Sequence, residues 1–242
     1  GQIFWEASEI MLRLIRGDTI CSDDIRETIL TRENFRSDED WQAVQSVNGN
    51  EDDAIHIPHR YEFEEIKSIP QKWDRSMVNL VIGSHEPALQ KHVNTFMPVQ
   101  VFNLSITQPD IIEATHARMR DAYLGQWERR MMPRTVMVFL NEEEGLSEEQ
   151  KNDTAQAESD GALSSYWSAL EGTLDPAKVS KAANNAVIGN ATEVAAQIRE
   201  RFHPEDRLML WFDFFRHDSA RICRDMRAFM DKVVPLVNGS GA

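Results

Sequence analysis

Apolar and polar positions change rhythm along this chain near residue 77. Before it, Ile3, Phe4, Ala7, Ile10, Met11 and Leu14 recur at helical spacing, which predicts an amphipathic helix over 3–16 stopped by Gly17. Ser22 followed by Asp23 and Asp24 is a helix-start signature and predicts a short second helix over 22–30. Residues 31–60 hold few apolar positions and many charges, with Asn48-Gly49-Asn50-Glu51-Asp52-Asp53 as a loop. They open a charged surface excursion spanning about 31–76, in which Tyr61-Glu62-Phe63 reads as a short strand and Ile69-Pro70 as its end.

After residue 77, continuous apolar runs alternate with helical patterns. Strands are expected at 77–82, 99–104, 134–140 and 207–212, and helices at 86–94, 109–127, 147–170, 176–184, 191–201 and 219–237. Continuous apolar strands between helices indicate parallel β/α units buried on both faces. Four such units make half of an eightfold barrel, so the expected fold class is α/β of the (β/α)8 TIM-barrel type, this chain holding the C-terminal half. A small doubly wound sheet is the other arrangement the pattern allows. The expected organisation is one β/α domain over 1–237 and a disordered tail at 238–242. A first helix with no strand before it reads as a segment cut from something longer.

Composition narrows the partners more than the chemistry. Apolar residues make up 41% of the 242, enough for a sizeable core, and the net charge is −14. That charge argues against nucleic acid and against an anionic membrane surface. Cys21 and Cys223 are too far apart for a disulfide framework or a metal knuckle and read as free thiols. With no apolar run near the roughly 18 residues of a membrane span and no signal peptide, the expectation is a soluble, cytoplasmic protein.

The candidate chemistry lies where the first long apolar run stops, at Val81-Ile82-Gly83-Ser84-His85-Glu86-Pro87-Ala88-Leu89. A strand that ends in small residues before a helix directs free backbone N–H groups at one point, which suits a phosphate. Ser84 Oγ and the N–H groups of Ser84 and His85 are the candidate donors; a tight turn and a helix cap is the other reading. Pro87 has no N–H to offer, and Glu86 brings a negative charge. His85 reads either as a cationic phosphate ligand or as an ordinary loop residue. Asn103 and Ser105 follow the next strand as candidate hydrogen-bonding groups, or as turn formers. Trp211, Asp213, Phe214 and Phe215 end the last strand, as a wall for a ligand or as packing. His56 and His59, near Glu62 and Glu64, have no recognised metal spacing, and no metal site is expected.

Three stretches, in this order, resemble the C-terminal half of the bacterial luciferase-like flavin-dependent monooxygenase family. They are Phe4-Trp5-Glu6-Ala7-Ser8-Glu9-Ile10-Met11, the Val81–Leu89 stretch quoted above, and Gly189-Asn190-Ala191-Thr192-Glu193-Val194-Ala195 followed by Asp206-Arg207-Leu208-Met209-Leu210-Trp211. The resemblance covers most of residues 3–237. It implies reduced FMN supplied by a separate flavin reductase, O2 as oxidant and a small organic, apolar substrate. It places the flavin phosphate at Gly83, Ser84 and His85, a ring edge at Asn103 and Ser105, and a wall at Trp211. No catalytic base is assigned. Deazaflavin is the alternative cofactor, and a truncated, non-catalytic flavin-binding or interaction protein the alternative role. The expected partner is a second copy in a homodimer or a missing N-terminal half.

Overall fold

The computed structural model describes residues 2–25, 27–49, 52–57, 62–104, 107–169, 184–212 and 217–239. Two units make up the chain: Gly1–Leu80 with Glu86–Val99 and Ala122–Gly125, and Val81–His85 with Gln100–Asp121 and Gln126–Ala242.

The first unit contains α1 (Gln2–Arg16), β1 (Thr28–Thr31), α2 (Asp38–Asn48), β2 (Ala54–Ile57) and α3 (Pro87–Val93). The second helix expected at 22–30 is instead a single 3-10 turn, Ser22–Asp24, and the strand β1. The Ser22 hydroxyl engages the Phe63 backbone, accepting its N–H at 2.8 Å and donating to its carbonyl at 3.1 Å, so it caps no α-helix. Thr-Ile-Leu-Thr, rich in β-branched residues, pairs antiparallel with β2 from Thr28↔Ile57 to Thr31↔Ala54. The charged excursion also holds α2, where Ser37 Oγ accepts the Asp40 N–H at 3.1 Å and left-handed Gly49 ends the helix. Trp41 is its buried anchor. On α1, Trp5 stacks on His92 of α3 with centroids 5.1 Å apart, and its indole N–H donates to Glu86 at 3.1 Å.

The second unit contains most of β3 (Leu80–Ile82), β4 (Val99–Val101) and α4 (Pro109–Ala122), and all of β5 (Arg134–Leu140), α5 (Glu148–Ala169), β6 (Val187–Gly189), α6 (Ala191–Arg201), β7 (Leu208–Trp211) and α7 (Ser219–Ala228). A π-helical turn at Phe229–Val233 leads into α8 (Val234–Val237). All seven residues of β5 are buried, each large apolar one contributing roughly 1.5–3 kcal/mol. Val136, Val138 and Leu140 pack on α6 and the π turn through Val194, Ile198, Phe229 and Val233. Met137 and Phe139 pack the other way, on Ala162 and Leu163 of α5.

The half-barrel expected from the apolar runs is not what forms. The strands make separate short sheets, β1-β2, β3-β4 and the parallel β6-β5-β7, with no closed barrel among the described residues. A single bridge, Asn103↔Arg134, reaches from the segment after β4 to β5. The physical reason lies in the faces. In a barrel the inward face of each strand meets other strands, whereas β5 is covered by helices on both sides. Nor are the other runs buried throughout: Val81 is 45% exposed and Trp211 46%. The mixed α/β arrangement is held at the start of β5 by a buried carboxylate. Asp206 accepts Arg129 Nε at 2.5 Å, Arg134 Nη1 at 2.9 Å and the His203 N–H at 3.2 Å. Arg129 also reaches Glu113 on α4 at 2.9 Å, and Arg134 stacks on Phe202 at 4.6 Å.

Candidate functional site

Gly83, Ser84 and His85 leave β3 as an irregular segment. A Cβ on Gly83 meets nothing within 4 Å, so folding does not demand glycine there and the position stands open. Ser84 and His85 are half-buried. The fold fixes the imidazole through α4. Thr115 Oγ1 donates to the Ile111 carbonyl at 2.7 Å and accepts Arg118 Nη2 at 3.1 Å. Its proton is thus committed, and the 3.2 Å contact with His85 Nδ1 requires the ring to donate from Nδ1. The lone pair then lies on Nε2, which is buried and has no hydrogen-bond partner.

Burial, then the Arg118 charge, lowers the His85 pKa below the ordinary histidine value; the Phe102 backbone and the Asn103 side chain oppose the shift without reversing it. His85 is therefore a neutral acceptor, a poor match to the cationic phosphate ligand of the sequence reading.

Asn103 is the second unusual residue. It is wholly buried, and its backbone is fixed on both sides: its N–H donates to Pro133 O at 2.9 Å, and its carbonyl accepts the Thr135 N–H at 3.0 Å. Its amide Nδ2 and Oδ1 both lack partners. The Asn103 side chain and the Phe102 backbone act on the imidazole as hydrogen-bonding neighbours that favour its charged form, yet His85 Nε2 and both amide atoms fall short of a full hydrogen bond. One acceptor nitrogen, one amide donor and one amide acceptor thus stand together, unsatisfied. Such a set suits a ligand edge that both donates and accepts hydrogen bonds.

Trp211 is placed elsewhere. Asn103 aligns with Arg134, whereas Trp211 aligns with Met137 on the far side of β5, roughly 10 Å along the strands and 10 Å across them. Ser105, residues 213–215 and nearly all of the helix expected at 176–184 lie outside the described residues. The closing motif has a structural use. Gly189 sits at φ 134°, where a Cβ would come within 2.9 Å of Asn152 Oδ1 and of Glu193 Cβ. The start of α6 is taken by the protein's own carboxylate, Glu142, which accepts the Ala191 N–H at 2.7 Å and Lys232 Nζ at 2.6 Å. Burial works against the charge on Glu142, but Lys232 and that N–H outweigh it and lower its pKa.

Thr115 and Arg118, which orient His85, were not singled out from sequence. The available signal was a threonine on the buried stripe of α4 beside Ile112 and Met119. Among the described residues no group of three or more His, Cys, Asp or Glu is placed to hold a metal ion, and no helix is long and apolar enough to cross a membrane. Cys21 and Cys223 are unpaired.

No protein-family model matches the sequence, and no curated protein does. Among solved structures, the fold is similar to that of the monooxygenase RslO1 from Streptomyces bottropensis, with a TM-score of 0.54 and 19% identity. The match covers 85% of this chain and 66% of that one, so the chain spans just under two thirds of that protein's length. At that identity the likeness is one of fold.

Proposed function

We propose that this chain is the flavin-binding part of a monooxygenase that takes reduced FMN from a separate reductase and oxygenates a small apolar organic substrate. The observation that carries the reading is the trio of unsatisfied buried atoms, His85 Nε2, Asn103 Nδ2 and Asn103 Oδ1. A flavin ring edge presents both donors and acceptors, which fits that trio. The likeness of fold to a monooxygenase supports the same assignment. Reduced flavin, when bound, supplies the electrons for O2 chemistry.

The chain's own residues bind and orient. Asn103 and His85 lie side by side and grip one ligand group, the ring edge, rather than opposite ends of the cofactor. Thr115 holds the imidazole in the Nδ1–H form, so Nε2 accepts from the ring rather than donating to it. The open side of Gly83 leaves room for the cofactor phosphate to approach the backbone there.

The test is an FMN titration of the full chain, followed by flavin and tryptophan fluorescence, with Gly83→Ala and Asn103→Leu in parallel. Saturable binding is expected, weakened about tenfold or more by Asn103→Leu, the loss of a ligand hydrogen bond. A folded chain that binds no FMN, or binds it equally well in both variants, overturns the proposal.

A further inference from the structure

A cavity of about 670 Å3 in the second unit is lined by His116, Arg120, Trp127, Arg129, Arg130 and His203, and by the carboxylates of Glu128 and Glu205. It is separate from the His85–Asn103 trio. We propose that it binds a small organic acid, with the oxyanion between His116 and Arg120 and the body of the molecule against Trp127.

The tautomer of His116 is the first argument. The Trp127 indole is a donor only and gives its N–H to His116 Nδ1 at 3.2 Å. The neutral ring must therefore carry its proton on Nε2. That N–H is buried, has no partner, and belongs to a residue only 2% exposed that lines the cavity. An unpartnered donor at such a place calls for an acceptor.

Charge is the second argument. Arg129 is committed to Asp206 and Glu113, and Arg130 to Glu128 at 2.5 Å. Arg120 makes no hydrogen bond or ion pair among the described residues and lies near enough to His116 to act on its ring. Arg120 and the His116 ring then line the cavity together, beside Glu205 and the Glu128 already paired with Arg130. The ring stays uncharged because burial, then the Arg129 charge, holds its pKa down at about 4.

Size is the third argument. The volume is several times that of a bare inorganic anion and falls within the roughly 300–1,000 Å3 of small-molecule sites. The Trp127 ring supplies the apolar wall that a planar acid needs.

The experiment titrates the full chain with sodium benzoate and, separately, with inorganic phosphate, by calorimetry and by NMR of the histidine ring nitrogens. Benzoate is expected to bind saturably, to shift the His116 Nε2–H resonance and to raise the pH at which that ring titrates. Arg120→Gln, an exposed change that leaves the core untouched, is expected to weaken binding about tenfold or more. His116→Gln is expected to do the same, and Asn103→Leu to leave benzoate binding unchanged. Tighter binding of phosphate than of benzoate refutes the organic body. Non-saturating binding, or binding that neither cavity variant weakens, refutes the site.

Discussion

Replacing Asn103 with leucine separates stability from binding at one residue. The amide is wholly buried with two unsatisfied polar atoms, each costing the folded state about 1–3 kcal/mol. Leucine keeps the branch at Cγ and removes both. Against that gain stands the larger, tetrahedral side chain, and overpacking costs about 1–3 kcal/mol. The net expectation is a stabilisation of about 1 kcal/mol, or about 2–4 °C in Tm for a chain of this size. FMN affinity falls by about tenfold or more in the same variant. Urea denaturation and calorimetry read the first quantity, fluorescence titration the second. Asn103→Asp is the companion: it places an unpaired carboxylate in the same site and is expected to destabilise strongly. If Asn103→Leu instead destabilises by more than about 1 kcal/mol, the amide is hydrogen-bonded in the folded chain.

The other tests probe the frame. Asp206→Ala strands the buried guanidinium of Arg134, leaves Arg129 with Glu113 alone, and is expected to cost about 3–5 kcal/mol; a loss below about 1 kcal/mol in urea denaturation would show that neither arginine depends on it. Gly189→Ala forces a Cβ to within 2.9 Å of two neighbours at a positive φ, and a loss of roughly 1–3 kcal/mol is expected from thermal unfolding. Gly83→Ala meets open space, so its Tm should stay within a few degrees of the parent while FMN binding weakens. His116 titrates at about 4 in the folded chain against 6.5 ordinarily, so the unfolded chain takes up that proton first as the pH falls. The stability present above pH 6.5 is therefore lost on the way down to pH 4, by about 3 kcal/mol, and His116→Gln flattens that slope. An NMR titration that places the ring near 6.5 contradicts its burial.

The elements of the second unit were legible because their signals are local. Arg134–Leu140 is a continuous apolar strand, and Asn190 opens α6 as a capping residue should, accepting the Glu193 N–H at 2.9 Å. What the apolar runs did not carry was which strands pair and what covers each face. Met137 and Phe139 read the same in sequence whether they meet other strands, as in a barrel, or Ala162 and Leu163 of a helix, as they do. The Ser22 signature misled for a similar reason: its hydroxyl found a distant partner, Phe63, in place of a local N–H. The site was half legible. Gly83, His85 and Asn103 stand out from their positions after strands, but the protonation of His85 depends on Thr115, thirty residues away.

Unsatisfied buried atoms separate sites from packing only where they converge. Asn141 Nδ2 is one isolated atom on a side chain whose oxygen already accepts the Glu143 N–H at 2.9 Å, and Ser159 Oγ is a single hydroxyl on α5. Costs of that size are tolerated in any fold. At His85 and Asn103 three such atoms meet, with complementary donor and acceptor character. At His116 one unpartnered N–H lies in a residue that lines a cavity together with the cation of Arg120. Both places are built on α4, whose consecutive residues Thr115 and His116 serve the two in turn: one fixes a ring that accepts, the other is a ring that donates. Local propensity and packing explain the rest of that helix. Adjacent histidine environments of opposite hydrogen-bonding sense are not something a stable core requires, and they mark where this fold departs from the rules that built it.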